Sequence, residues 1–172
     1  TVPGVAYISN RVPYTISGTS ADPSISGAGS GVSAVKVKIR RNTDNYWWSA
    51  TNGNFIDSEL ANNAVDVNPW SINITAGLSD DTSYYVQTSA WDQVPLIEAY
   101  PGGGARTFRV DYSSPTSAVM QPVDARYYKS LASLTGTAND VTSGVKEVGI
   151  LLQDLTKGAS YWNAVSLAWE TS

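Results

Sequence analysis

In Val35-Lys36-Val37-Lys38-Ile39-Arg40, apolar and basic residues alternate without a break, the two-residue period of a strand with one buried face. Val35, Val37 and Ile39 are expected inside and the three cations in water. Val148-Gly149-Ile150-Leu151-Leu152-Gln153 keeps the same inward set and makes the outer positions more apolar, so a sister strand is predicted there. Further strands are read at residues 14–20, 46–50, 70–74, 83–91 and 106–110, with Trp70, Ile72 and Ile74 on one face. Asn52-Gly53, between Trp47-Trp48 and Phe55-Ile56, predicts a hairpin turn. No window sustains a helical apolar period, and residues 58–62 offer at most one helical turn.

The strand pattern is duplicated. Thr15-Ile16-Ser17-Gly18-Thr19-Ser20-Ala21-Asp22 matches Ser133-Leu134-Thr135-Gly136-Thr137-Ala138-Asn139-Asp140. Gly31-Val32 then matches Gly144-Val145, and Tyr46-Trp47 matches Tyr161-Trp162. Between the first two blocks the first copy carries extra Gly/Ser-rich residues, 24–30, which read as a loop. Internal repetition of this kind predicts tandem antiparallel β-sandwiches, an all-β fold with the second sandwich incomplete. The first is expected over residues 1–112, a linker over 113–116, and the beginning of the second over 117–172. In this register Ser172 matches Asp57, so counterparts of the strands at 70–74, 83–91 and 106–110 are lacking. Half a sandwich leaves Leu134, Val148, Ile150, Leu152 and Trp162 facing water, and an apolar face of that size needs a cover. The chain is therefore expected to be part of a longer repeat protein, with strand addition from another subunit as the alternative.

Composition narrows the chemistry. The 172 residues contain no His and no Cys, which removes Ser-His-Asp and thiol nucleophiles, Cys/His zinc sites and disulfides. A net charge of −4 has the wrong sign for a nucleic-acid or anionic-membrane binder. No stretch approaches the roughly 18–20 apolar residues of a membrane span, so no membrane insertion is expected. Few Lys and Glu with abundant Ser, Thr, Asn, Gly and aromatics point to an extracellular or cell-surface protein. Thr1-Val2-Pro3-Gly4 has no export-signal character.

The segment from Gly77-Leu78-Ser79-Asp80-Asp81-Thr82-Ser83-Tyr84 through Tyr85-Val86-Gln87-Thr88-Ser89-Ala90-Trp91-Asp92 resembles the corner and sixth strand of fibronectin type III and related immunoglobulin-like domains. In such a corner a Tyr hydroxyl ties the turn to the sandwich. Gly18-Thr19-x-x-Asp22, Gly31-Val32, Tyr46-Trp47 and Arg109-Val110-Asp111-Tyr112-Ser113-Ser114-Pro115 are similar to tandem repeats of large bacterial surface proteins. The resemblance implies a spacer, adhesin part, filament segment or accessory module, with neighbouring repeats or subunits of the same protein as partners and no nominated ligand.

Candidate functional residues fall into two sets. Adjacent residues of a strand face opposite ways, so one of Trp47 and Trp48 is expected outside; Trp48, with Tyr100, is the candidate glycan contact. Asp22 with Asp92, and Asp140 with Asp111, are placed near the domain junctions, where carboxylates and loop carbonyls can hold Ca²⁺. No other cofactor is expected, and the competing reading is that these aspartates cap turns. The fifteen carboxylates include no pair marked out for acid–base work, so no enzymatic activity is expected. Pro101-Gly102-Gly103-Gly104 reads as a flexible hairpin tip, and Asn73-Ile74-Thr75 is a chance-level glycosylation acceptor.

Overall fold

A computed structural model describes residues 6–8, 14–23, 29–75, 77–94, 96–156 and 160–171. Thr1-Val2-Pro3-Gly4 and most of the loop 24–30 lie outside the described residues. The chain divides into two compact units, Thr1–Ser113 and Ser114–Ser172. All regular structure among the described residues is strand.

In the first unit the strands are β1 (Ala6–Ile8), β2 (Tyr14–Gly18), β3 (Val32–Arg41), β4 (Trp47–Ser49), β5 (Asn54–Ile56), β6 (Asn62–Asn63), β7 (Trp70–Ile74), β8 (Ser83–Asp92) and β9 (Gly102–Val110). One sheet runs β1-β9-β8-β3-β4-β5, with β6 also on β3; the other is β2-β7. β3 is the spine, because its alternation buries Val35, Val37 and Ile39 while its outer edge positions stay half-exposed. It pairs antiparallel with β8 from Val32↔Asp92 to Arg41↔Tyr84. Among the described strands β1 is the exception to antiparallel pairing, lying parallel to β9 with Ala6↔Phe108 and Ile8↔Val110.

The two sheets enclose one core. Ile16, Trp70, Ile72 and Ile74 come from the small sheet and meet Val35, Val37, Ile39, Val86 and Val110 of the large one. An aromatic file runs through it: Trp48 to Phe55 at 5.4 Å, Phe55 to Tyr84 at 5.5 Å, Tyr84 stacked on Phe108 at 5.2 Å. Gly18 is a sequence requirement of this packing, since a Cβ there would stand 2.5 Å from the Trp70 ring. The corner tyrosine is Tyr84, fully buried, and its hydroxyl accepts a hydrogen bond from the Ser79 N–H at 2.8 Å.

One local allowance goes unused and one local expectation is corrected. Residues 58–62 form no helical turn; Asn62 is drawn inward instead, accepting from the Ala50 N–H at 2.7 Å and donating to the Trp48 carbonyl at 2.8 Å, which seats β6 on β3. Gly102 to Gly104 are not a flexible tip but the start of β9, held by the Thr88↔Gly102 pairing beyond a register shift in β8. The Asn-Gly turn stands where the pattern puts it, with Gly53 at φ 61° between β4 and β5.

The second unit contains β10 (Thr116–Gln121), β11 (Thr135–Asn139), β12 (Gln153–Asp154), β13 (Ser160–Asn163) and β14 (Ala168–Thr171). β10 pairs antiparallel with β11, and β12-β13-β14 form a separate small sheet. The latter resembles β3-β4-β5 in strand order but not in register: Trp47 lies opposite Arg40, whereas Gln153 lies opposite Tyr161, the Trp162 N–H donates to the Leu152 carbonyl at 2.9 Å, and Trp162 lies opposite Trp169. The predicted strand at 148–153 is largely absent, because only Gln153–Asp154 is laddered. The physical reason lies in the first unit, where β3 owes its length to nine paired residues on β8. Among the described residues of the second unit, none pairs with residues 148–152.

Candidate functional site

The two copies of one pattern have opposite fates. Every buried apolar side chain among the described residues belongs to the first unit; in the second, the buried side chains are Thr142 and Ser160. Val35, Val37 and Ile39 are at most 2% exposed, whereas their repeat partners Val148, Ile150 and Leu152 are 56%, 71% and 39% exposed. Leu134 and Trp162 are exposed as well. All five residues expected to face water do so. Between β10-β11 and the unladdered residues 148–152 lies a cleft of about 530 Å³, lined by Val119, Leu134, Val148, Ile150 and Leu152. Its lining is mostly apolar side chains and backbone, which suits contact with apolar groups.

Trp48 is not a ligand contact. It is fully buried at the head of the aromatic file, and its neighbour Trp47 takes the outward position, half-buried. Strand alternation leaves the sign of the pair open, and the β4-β5 pairing of Trp48 with Phe55 decides it. Tyr100 is half-buried with the Lys38 Nζ 3.8 Å above its ring, while Lys38 also bonds Glu59 at 2.5 Å. One face of Tyr100 is therefore already occupied. Burial, reinforced by the nearby Glu59 charge, pushes its hydroxyl above the ordinary tyrosine pKa. On the same outward face Arg40 lies 5.9 Å from the Trp47 ring and 5.4 Å from that of Tyr85.

The four aspartates behave as turn clasps. Asp22 and Asp92 are brought together: the Ser30 hydroxyl lies 3.1 Å from Asp22 Oδ2 and 3.3 Å from Asp92 Oδ2. Gly31 N–H donates to Asp22 and Leu96 N–H to Asp92, both at 2.9 Å. They border a cleft of about 540 Å³ whose wall includes Trp70, Trp91 and Ile97. Asp111, buried at the end of the first unit, accepts from Ser113 N–H at 3.0 Å. Asp140 caps its own turn, accepting from the Thr142, Ser143 and Gly144 N–H groups at 3.0, 2.9 and 3.2 Å. These bonds, that from Ser143 foremost, hold its carboxyl below the ordinary aspartate pKa. Asp111 and Asp140 belong to different units. Calcium takes about six to eight oxygens, and among the described residues no three acidic groups gather to hold a metal ion. Among the described residues, Asp22 and Asp92 are the pair of expected ligands that comes together.

Sequence reasoning passed over Asp80, which accepts from Tyr112 N–H at 2.7 Å and Ser113 Oγ at 2.8 Å and so clasps the chain as it leaves the first unit. The available signal was its position in the corner that Tyr84 anchors. No helix among the described residues is long and apolar enough to cross a membrane. Comparisons with family models, with curated proteins and with solved structures find no match.

Proposed function

We propose that this chain is a non-enzymatic structural segment of an extracellular or cell-surface repeat protein, built from immunoglobulin-like sandwiches. It works as part of a stalk, surface layer or filament, with neighbouring repeats or subunits as partners. The observation that carries the reading is the contrast between a closed first unit and an open second unit written in the same sequence pattern. The immunoglobulin-like part is supported by strand order: β2 and β7 share one sheet while β3, β8 and β9 share the other, the division of second and fifth from third, sixth and seventh strands in that fold.

A mechanical role is supported by the parallel pairing of β1 with β9. Tension applied along the chain slides these strands past each other and loads their hydrogen bonds together rather than one at a time. Stretching single molecules tests this. The first unit, 113 residues, gives one force peak and releases about 38 nm of chain at roughly 3.4 Å per residue, less the length the folded unit already spans. Extension of the first unit without a peak overturns the reading.

A glycan-contact module is the second reading, favoured by the outward rings of Trp47 and Tyr85 flanking Arg40. Depletion of the chain on insoluble polysaccharide, abolished by Trp47→Ala, selects it over the mechanical role.

A further inference from the structure

We infer that the outward face of β3 binds an acidic oligosaccharide. The Arg40 guanidinium takes one sugar carboxylate between the rings of Trp47 and Tyr85, and Lys36 takes a second further along the strand. The inference rests on the glycan-contact reading and names the charge of the ligand.

The alternation that buries Val35, Val37 and Ile39 sends Lys36, Lys38 and Arg40 to the other face of the sheet, successive cations being about 6.8 Å apart. Each lies against an aromatic ring. Lys36 Nζ is 5.1 Å from the Trp91 ring and Lys38 Nζ 3.8 Å from that of Tyr100, while Arg40 Cζ is 5.9 Å from Trp47 and 5.4 Å from Tyr85. Charge compensation separates the three. Lys38 is paired with Glu59, which closes the middle position. Among the described residues no carboxylate pairs with Lys36 or Arg40. Lys36 donates to the neutral Asn63 Oδ1. Arg40 Nη2 reaches Asn42 Oδ1 at 3.4 Å, and Arg40 Nε is buried without an acceptor among the described residues.

A charge-assisted hydrogen bond ordinarily runs about 2.7–2.9 Å, so the bond to Asn42 leaves most of the bonding capacity of this guanidinium unspent. Cross-strand pairing fixes its place. Trp47 on β4 and Tyr85 on β8 stand directly opposite Arg40 on its two sides. Ring, guanidinium and ring therefore form one row about 10 Å across three strands. The guanidinium is held in position before a ligand arrives, which lowers the ordering cost of binding.

The row specifies its ligand. A planar guanidinium takes a carboxylate through two parallel hydrogen bonds. The electron-rich faces of the flanking rings suit the C–H faces of sugars and disfavour further anions. Arg40 and Lys36 are about 14 Å apart along the strand, a span that linked acidic sugars cover and a single small anion does not. The chain as a whole carries −4, so the attraction is local to this face and acts at short range.

Tryptophan fluorescence and isothermal titration calorimetry on the full chain test this with hexamers of galacturonate, hexamers of mannuronate and hyaluronan hexasaccharide. Methyl-esterified galacturonate hexamer keeps the rings without the charge, and hexaglutamate keeps the charge without the rings. At least one acidic sugar is expected to bind at least about tenfold more tightly than both controls. Arg40→Gln should weaken it at least about tenfold and Lys36→Gln about threefold. Equal binding of acid and ester overturns the inference while the glycan-contact reading stands. Equal binding of hexaglutamate also overturns it and assigns the face to acidic peptides. Self-association of the chain that Arg40→Gln abolishes overturns it in favour of a second copy. No binding of any sugar, acidic or esterified, overturns the inference and the glycan-contact reading together. The comparison of acid with ester uses the unmodified chain, so it decides the matter even where a variant fails to fold.

Discussion

Val37 and Ile150 occupy the same position of the repeated pattern, one fully buried and the other 71% exposed, so a matched substitution reads their surroundings directly. Threonine is the suitable replacement because it retains β-branching and strand preference while adding a hydroxyl. At Val37 the exchange loses one buried methyl, about 0.8 kcal/mol, and buries a hydroxyl without a partner, about 1–3 kcal/mol. The first unit should lose about 2–4 kcal/mol, which at roughly 4 °C per kcal/mol for a unit of this size lowers its melting temperature by about 8–16 °C. At Ile150 the replacement by threonine, which trades an ethyl for the hydroxyl, falls on a solvent-facing position and should change stability by less than about 0.5 kcal/mol. Near-ultraviolet circular dichroism, dominated by core aromatics such as Trp48, follows the transition, and urea titration with an unchanged m-value verifies that the native state was the one affected. Equal losses for Ile150→Thr and Val37→Thr in the monomeric chain would refute the open-face account, as would full tolerance of Val37→Thr.

Three further outcomes follow from particular contacts. Tyr84→Phe keeps the stack on Phe108 but leaves the Ser79 N–H without its acceptor, and should cost the first unit about 1–2 kcal/mol in urea denaturation. Asn62→Ala strands the Ala50 N–H and frees β6 from the Trp48 carbonyl; a loss of about 2–4 kcal/mol, together with faster hydrogen exchange at Ala64, whose N–H donates to Val35, is expected. The Asp140 carboxyl should titrate by NMR below a free aspartate. Because its folded pKa is the lower one, the cap stabilises its turn above the unfolded aspartate pKa and is lost as pH falls through the folded value; Asp140→Asn should remove that dependence.

Periodicity and repetition carried most of the fold. The two-residue alternation at 35–40 identified the central strand because burying one face of a sheet writes itself directly into sequence. The match of Gly18 with Gly136 and of Tyr46-Trp47 with Tyr161-Trp162 suggested a duplication, and the expectation built on it, that Leu134, Val148, Ile150, Leu152 and Trp162 face water, agrees with their exposure. Absence of His and Cys excluded whole chemistries without any coordinates.

What tertiary structure alone decided was direction and partnership. Alternation says that Trp47 and Trp48 point opposite ways; only the cross-strand neighbour Phe55 turns Trp48 inward. Strand propensity at 148–152 is as strong as at 35–39, yet a strand is a relation between two chains of backbone groups. Residues 35–39 are laddered against β8, and residues 148–152 carry no ladder. Likewise an aspartate's residue type cannot distinguish a metal ligand from a turn cap, since both use the same oxygen. The nearby N–H groups of residues 142–144 make Asp140 a cap, and the shared Ser30 hydroxyl makes Asp22 and Asp92 a clasp. Local pattern is thus set by the side chains a segment carries, and its fate by whether another segment meets it.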